Sequence, residues 1–332
     1  MKKLTLVAAG LLVAAGCDFS DPAPLPTTAV GGGGGGGGDA AGGSPANGGG
    51  GTGGTSLLQA GIVDGDVSLS WSLPGASFRV LRRLNTPPDG ADDGAAETVY
   101  EGDATTARDD LEGLLPDTAE TRRTYHYAVF ACDGGDTCGG DGATATVTPT
   151  VGEALRGGGY VIAWRHSPAS VCSDDLSLGE AATTTQPDWW RSCNADCATA
   201  TTRQLNAQGL MEAPIMGDAL KARGIPFSAV LSSEFCRCFT TAELMDLGPP
   251  VEQLPDLTYF VYGDALRCER VYDLIETVPA DDTNVALIGH AGFVCPVLDA
   301  LQQGDAAIFK PDGDGDATLI QVVKWNQWSS LP

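Results

Sequence analysis

The stretch Tyr160-Val-Ile-Ala-Trp164 delivers Arg165 and His166 at the point where a run of β-forming residues gives way to a loop. A second such run, Val285-Ala-Leu-Ile288, leads through one glycine to His290. The whole chain has three histidines, and two of them stand at these predicted strand ends. Because ligands of open α/β sheets bind beyond the carboxyl ends of the strands, we expect both histidines and the arginine to share one polar pocket.

The sequence around these two stretches alternates between β-forming and helical patterns from residue 157 to residue 332. Strands are predicted at 160–164, 229–231, 257–262, 285–288, 307–309 and 319–325, and helices near 198–223, 237–246, 266–276 and 294–302. This alternation is typical of an α/β fold in which helices cover a sheet. Apolar residues of the long helix gather on one half of a helical wheel, so we expect that half to face the sheet; they are Met211, Ala222, Ile215, Ala219, Leu205, Met216 and Leu220.

Five short motifs follow one another in this region: Arg165-His166, Arg203-Gln-Leu-Asn-Ala-Gln-Gly209, Ser232-Ser-Glu-Phe-Cys-Arg237, Thr241-Ala-Glu-Leu244 and Gly289-His290-Ala-Gly292. In this order they resemble the histidine phosphatase superfamily, of the phosphoglycerate mutase type. The resemblance spans nearly all of residues 157–332. It implies a three-layer arrangement with helices on both faces of the sheet, and a phosphatase that needs no metal and no cofactor.

The resemblance also implies a role for each residue of the pocket. His166 would be the nucleophile that takes up the phosphoryl group, while Arg165, Arg237 and His290 would hold its oxygens until water hydrolyses the phosphohistidine. The chemistry needs these residue types, because a phosphoryl group in transfer spreads negative charge over three oxygens and guanidinium groups offer several donors to it. A nucleophilic imidazole must be neutral, and neighbouring arginines lower its pKa.

A carboxylic acid is expected to protonate the leaving group. Asp264, at the end of the strand predicted at 257–262, is the first choice for this general acid, and a solvated loop carboxylate is the alternative interpretation of the same residue. Glu234, between Ser233 and Arg237, is the second choice. Glu269 is the third.

The first residues of the chain predict export. Lys2 and Lys3 precede an apolar stretch at 4–15, and the Gly16-Cys17 that follows resembles the lipobox of bacterial lipoproteins, in which residues 1–17 form the signal and Cys17 is acylated. A plain secretory signal is the alternative. Residues 18–55, with an unbroken glycine run at 31–38, are predicted to be a disordered tether. We therefore expect an extracytoplasmic protein that contacts a membrane through a lipid on Cys17, at a leaflet or cell surface that the sequence leaves open.

Residues 56–151 alternate short β-prone runs with turns, which predicts a small antiparallel sandwich. Leu69-Ser-Trp71, Pro74, Leu115-Pro116 and Tyr125 together resemble a fibronectin type III domain. The resemblance implies that Trp71 lies in its core and that Tyr125 is its corner tyrosine. Such a domain would serve as a spacer or would bind a protein or glycan partner. His126, within a predicted strand, is interpreted as structural.

The chain has ten cysteines, and export favours disulfides over metal binding. Cys132 and Cys138 bracket a hairpin end and are expected to pair. Cys236 and Cys238 would diverge on a helix, so we expect Cys236 to pair with Cys193 or Cys172 instead. Seven cysteines follow residue 157, an odd number, so one of them is expected to be a buried thiol.

Two further motifs are interpreted as structural. Asp312-Gly-Asp-Gly-Asp316 lacks the glycine and glutamate that a calcium-binding EF-hand loop needs, so it is predicted to be a turn between strands. Trp189-Trp190 is expected to pack in a core rather than to bind substrate.

The charge balance restricts the partners. The chain has 43 acidic and 19 basic residues, a net charge of −24, which argues against binding nucleic acid. We expect an extracytoplasmic phosphatase that acts on small phosphate monoesters or anhydrides, and a mutase role is disfavoured. The alternative is a catalytically inactive, phosphatase-like protein that binds ligands or other envelope components.

Overall fold

The computed structural model describes residues 57–63, 66–110, 114–133, 137–258, 260–263, 265–292 and 295–331. These residues belong to one compact unit that spans Gly53–Pro332. The predicted signal, Cys17 and the predicted tether lie outside the described residues. In the described part of the chain, no helix is both long enough and apolar enough to cross a membrane.

Seven antiparallel strands make up the first part of the described chain. They are β1 (Leu57–Val63), β2 (Asp66–Ser72), β3 (Ser77–Leu84), β4 (Glu97–Gly102), β5 (Thr106–Asp110), β6 (Tyr125–Cys132) and β7 (Cys138–Val147). One sheet has the order β1-β2-β5 and the other the order β4-β3-β6-β7. Alternate side chains of both sheets are buried together, as the period-two pattern of the sequence predicts.

Two residues of this part lie where the sequence analysis expects them. Trp71 is buried, with its ring centroid 5.7 Å from that of Phe78. The hydroxyl of Tyr125 accepts a hydrogen bond of 3.0 Å from the amide of Leu115, ten residues earlier. The predicted disulfide between Cys132 and Cys138 is confirmed and joins β6 to β7.

The second part of the described chain is built around a six-stranded sheet of order β12-β11-β13-β8-β14-β15. Its strands are β8 (Val161–Arg165), β11 (Phe227–Ser232), β12 (Val251–Gln253), β13 (Asn284–Gly289), β14 (Ala306–Pro311) and β15 (Ala317–Val323), and a separate pair is formed by β9 (Ala169–Val171) and β10 (Gln204–Leu205). Strands β12, β11, β13 and β8 are parallel to one another, whereas β14 is antiparallel to both of its neighbours, β8 and β15. The mixed α/β class is thus as predicted.

Five helices accompany these strands: α1 (Val151–Gly157), α2 (Ala207–Ala222), α3 (Cys236–Met245), α4 (Arg267–Ile275) and α5 (Pro296–Asp299). Side chains of β8 alternate between two cores. Ile162 and Trp164 pack in the core that contains residues of α2 and α3, while Val161 and Ala163 pack in the core that contains residues of α4 and α5. Both faces of the sheet are therefore covered.

The two parts of the described chain are in direct contact. Thr150 and Glu153 form a capping box at the start of α1, the helix that connects β7 to β8. The hydroxyl of Tyr160 donates a 3.3 Å hydrogen bond to the carbonyl of Leu114. Leu115 packs against the core on the α2 side of the large sheet.

Two secondary-structure predictions are wrong. The described residues of 257–262 contain no strand, because Pro255–Leu257 is a 3-10 helix and Phe260 has a positive φ of 67°, which strands exclude. The helix predicted from residue 198 begins only at Ala207, where the Asn206 side chain caps it by accepting a hydrogen bond from the amide of Gly209.

The predicted face of α2 is confirmed in part. Met216 and Leu220 are buried as expected, whereas Met211 and Ile215 are 50% and 45% exposed. A Cβ atom on the buried Gly217 would lie 1.8 Å from the carbonyl oxygen of Met245, so the glycine lets the α2 backbone approach the end of α3. This close approach places Gly217 on the buried face and leaves Met211 and Ile215 outside it.

The two motifs interpreted as structural are confirmed. Residues 312–316 form the turn between β14 and β15. Trp189 and Trp190 are each only 4% exposed and pack with Phe235 and Val261.

Candidate active site

The site lies at the carboxyl ends of the parallel strands. Arg165, the last residue of β8, pairs with Gly289, the last residue of β13, so His166 and His290 leave the sheet side by side. The next parallel strand, β11, ends at Ser232, which pairs with Ile288, one residue before Gly289. The chain then turns into α3, whose second residue is Arg237. Three separate motifs of the sequence thus meet at one edge of the sheet.

Arg237 connects the two histidines. Its Nε–H points to Nε2 of His166 at 3.3 Å, and its Nη2 points to Nδ1 of His290 at 3.3 Å. The two imidazole rings lie 5.4 Å apart between centroids. Phe235 supports the guanidinium, whose central carbon is 4.5 Å from the centre of the phenyl ring. All three polar side chains are almost completely buried.

The hydrogen-bond partner of Nδ1 identifies the tautomer of His166. Nδ1 lies 2.8 Å from the carbonyl oxygen of Ser167. A carbonyl oxygen can only accept a hydrogen bond, so Nδ1 carries the proton and Nε2 keeps its lone pair. The backbone behind the histidine is held as well, since the amide of Gly304 donates to the carbonyls of both Arg165 (3.1 Å) and His166 (3.0 Å).

Both imidazoles are held in the neutral form. Burial lowers the pKa of His166 well below its usual value, and the positive charge of Arg237 lowers it further. The same two causes, in the same order, lower the pKa of His290. The sequence analysis expected the arginines to act in this direction, whereas the larger effect comes from desolvation.

The predicted site residues Arg165, His166, Arg237 and His290 line one cavity of about 210 Å³, together with Asp174, Leu176, Arg203 and Ala291. Arg165 also donates from Nη1 to the carbonyl of Leu301 at 2.8 Å. Burial lowers the pKa of Arg165, and the positive charges of Arg203 and Arg237 lower it further, as expected where cations are crowded.

Two residues of the cavity, Asp174 and Arg203, were not assigned a role from the sequence. Oδ1 of Asp174 accepts a hydrogen bond from Nη1 of Arg237 at 2.9 Å and another from the backbone amide of Arg203 at 2.9 Å. Arg203 is the first residue of the motif Arg203-Gln-Leu-Asn-Ala-Gln-Gly209, so the sequence contained a pattern that pointed to it. Asp174 lies in an irregular loop that has no hydrophobic period, so no pattern pointed to it.

Glu234 and Glu269, the two predicted general acids among the described residues, do not line this cavity. Glu234 is buried beside it, and its carboxylate accepts from Trp190 Nε1 (2.8 Å) and from the Tyr262 hydroxyl (2.7 Å) and pairs with Arg191. Glu269 is exposed on α4. Asp264 lies outside the described residues, and the strand that was expected to precede it is absent at 257–262.

Disulfides tie the loop of Asp174 to the site. Cys193 pairs with Cys236, the first residue of α3 and the neighbour of Arg237, so one of the two predicted pairings is confirmed. Cys172 pairs with Cys197 within the same loop. A third bridge joins Cys268 to Cys295.

The expected buried thiol is Cys238. Its sulfur lies 3.4 Å from Nε2 of His290, and burial raises its pKa to about 12. It is therefore a neutral thiol at physiological pH and a poor nucleophile. Within the described ranges, no cluster of His, Cys, Asp or Glu side chains is arranged to hold a metal ion.

The sequence matches no protein-family model and no curated protein. Several solved structures resemble the chain over about half its length. One is the protein histidine phosphatase SixA complexed with tungstate, with 22% identity and a TM-score of 0.35 over 50% of this chain and 97% of that one. Another is the alpha-ribazole phosphatase from Shigella flexneri, with 15% identity and a TM-score of 0.33 over 50% and 96%.

A third is a mycobacterial glucosyl-3-phosphoglycerate phosphatase in complex with VO3, with 13% identity and a TM-score of 0.33 over 48% of this chain and 96% of that one. Similarity at this level gives no information about activity. Activity is inferred from the side chains of the cavity.

Proposed function

We propose that this chain is an extracytoplasmic histidine phosphatase that hydrolyses phosphate monoesters or anhydrides through a phosphohistidine on His166. The observation that carries the proposal is a buried, neutral imidazole whose lone-pair nitrogen faces a guanidinium inside a cavity lined by three arginines. Such a nitrogen is a competent nucleophile, and the surrounding cations stabilise the anion that it attacks.

The reaction would proceed in two steps. Nε2 of His166 attacks phosphorus, the bond to the leaving oxygen breaks, and water then attacks the phosphohistidine to release phosphate. Arg165, Arg203 and Arg237 offer their N–H groups to the three phosphoryl oxygens. His290 becomes a further donor once the dianion is bound and its imidazole takes up a proton.

The charge of the cavity suits a reaction without a metal or cofactor. Three guanidinium groups line the cavity and can neutralise a dianionic phosphoryl group bound there. The substrate would be a small phosphorylated molecule, held at its phosphoryl end.

The remaining regions would place the enzyme outside the cytoplasm. Four disulfides support an oxidising compartment. We propose that residues 157–332 are the phosphatase domain, that residues 56–151 are a fibronectin type III-like spacer or a binding surface for a protein or glycan, and that a lipid on Cys17 anchors the chain through the tether at 18–55. No nucleic acid partner is proposed.

A second candidate is a phosphate-binding protein without turnover. It is favoured by one observation, the ion pair between Asp174 and Arg237, which engages the carboxylate that lines the cavity. The two candidates differ in whether a covalent intermediate forms.

The test is to trap that intermediate. The protein is mixed with an aryl phosphate labelled with ³²P, quenched in alkaline detergent and counted, because phosphohistidine is stable in alkali and labile in acid. We expect acid-labile label on the wild-type protein, and we expect His166→Ala to lose the label and to lose at least about a thousandfold in turnover. The matched control is His126→Ala, which removes a histidine of β6 and should keep both. Turnover at the wild-type rate by His166→Ala would exclude the proposed nucleophile.

A further inference from the structure

The carboxylate of Asp174 has one engaged oxygen and one that is available. Oδ1 accepts from both Arg237 and the amide of Arg203. Oδ2 has no hydrogen-bond partner among the described residues, and the side chain is 14% exposed to the cavity. The backbone and the arginine therefore fix the orientation of the carboxyl group while one oxygen stays available to a ligand.

Asp174 is close to the reacting atoms. One guanidinium, that of Arg237, contacts Asp174 through Nη1 and His166 through Nε. Asp174 and a phosphoryl group beside Nε2 of His166 would therefore share the guanidinium of Arg237 and lie in the same cavity. Asp174 and His166 thus contact two different edges of the planar guanidinium of Arg237.

Among the described residues that line the cavity, Asp174 is the carboxylic acid. Glu234 has its oxygens occupied by Trp190, Tyr262 and Arg191, and Glu269 points to solvent from α4. A proton donor must reach the leaving oxygen within about 3.2 Å or through one water, which only a residue of the cavity can do.

We propose that Asp174 is the general acid of the reaction, an assignment that rests on the proposed function. In the first step the bond between Nε2 of His166 and phosphorus forms, the bond between phosphorus and the ester oxygen breaks, and the proton of Asp174 Oδ2 passes to that oxygen, which leaves as an alcohol. In the second step water attacks phosphorus, Asp174 takes the proton of that water, and phosphate is released. The carboxyl group returns to its starting state.

The test compares leaving groups. Asp174→Asn keeps an oxygen that can accept from Arg237 and Arg203 but has no acidic proton. We expect it to lose about 100-fold or more in kcat/KM with β-glycerol phosphate, whose alkoxide leaves poorly, and less than about tenfold with 2,4-dinitrophenyl phosphate, which needs no proton. A residue that only positions Arg237 would reduce both activities equally, and that result overturns the proposal.

Two controls complete the experiment. Asp175→Asn changes the neighbouring carboxylate, which is exposed and accepts from the amide of Ser177, and should leave both activities unchanged. Asp264→Asn tests the first choice of the sequence analysis, and a loss specific to β-glycerol phosphate in that variant but not in Asp174→Asn would overturn the assignment of Asp174. Failure of the wild-type protein to hydrolyse either ester would instead refute the proposed phosphatase function, and the assignment with it.

Discussion

The environment of His166 decides whether its imidazole can attack phosphorus at neutral pH. Desolvation and the nearby guanidinium of Arg237 both penalise the protonated ring, so the folded protein holds the pKa of His166 well below its ordinary value. The large negative charge of the whole chain would act in the opposite direction, but the charges that act most strongly on the ring are those of Arg237, Arg203 and Arg165.

A proton titration measures this effect directly. Because the pKa is lowered, the neutral form should persist as the pH falls from 7.5 through the ordinary histidine value of about 6.5. We expect the ring C–H signals of His166 and His290 to keep their high-pH shifts at pH 6, assigned by their loss in His166→Ala and His290→Ala. Half-titration of either ring at or above pH 6.5 would contradict the burial and charge described for this site.

Among single residues, the sequence predicted the site residues that come directly after β-strands but not Asp174, which lies in no recognisable pattern. Arg165, His166 and His290 stand at the ends of β-forming runs, where the topology of parallel sheets brings side chains together. Asp174 lies in an irregular loop, and its place beside Arg237 depends on the path of that loop in three dimensions.

The loop that carries Asp174 and the helix that carries Arg237 form one covalently linked element. Cys193–Cys236 attaches the loop to the first residue of α3, and Cys172–Cys197 closes the loop next to Asp174. The bridges therefore hold the loop close to the start of the helix from which the arginine projects.

Removal of the Cys193–Cys236 bridge should weaken phosphate binding. We expect the double substitution Cys193→Ser with Cys236→Ser to raise KM for an aryl phosphate about tenfold or more, because a displaced Arg237 loses charged hydrogen bonds of about 1.5–3 kcal/mol. The free energy of unfolding should fall by about 2–5 kcal/mol. Steady-state kinetics and urea denaturation measure the two effects.

The matched control is Cys132→Ser with Cys138→Ser, which removes the bridge between β6 and β7. It should leave KM unchanged in the folded protein. An unchanged KM in the first variant would show that the bridge does not position Arg237.

At the scale of elements, sequence patterns predicted most strands but not the packing of helices. The face of α2 is chosen by Gly209 and Gly217, where the helix approaches backbone atoms of Pro168 and Met245 too closely for any Cβ. Glycine contributes no hydrophobicity to a helical wheel, so the wheel placed the exposed Met211 and Ile215 on the same face as the buried Met216 and Leu220. The strand predicted at 257–262 was wrong because the buried Leu257 and Val261 lie in a 3-10 helix and a turn.

The whole molecule joins its all-β part to its α/β part through shared packing. Leu114 is buried in the core of the small sheets, and its carbonyl accepts the hydrogen bond from Tyr160, while the next residue, Leu115, packs against the core of the large sheet. Adjacent residues of one loop thus belong to both cores.

This shared loop predicts coupled unfolding. Leu69→Ala removes a buried side chain from the small-sheet core, which should cost about 2–5 kcal/mol. We expect the variant to lose phosphatase activity at a lower temperature than the wild-type protein. The temperature at which the β signal in circular dichroism is lost should fall by the same amount. Two separate transitions, with only the second moved by Leu69→Ala, would contradict coupling between the parts.

The hydrogen bond from His166 Nδ1 to the carbonyl of Ser167 has a consequence for the chemical identity of the intermediate. A phosphorylated imidazole exists as two regioisomers, the 1-phospho and 3-phospho forms, and the backbone contact blocks the nitrogen nearer the main chain. The enzyme would therefore carry 3-phosphohistidine exclusively, and an isomer-selective antibody raised against that adduct would stain the trapped protein while one raised against the 1-phospho adduct would not.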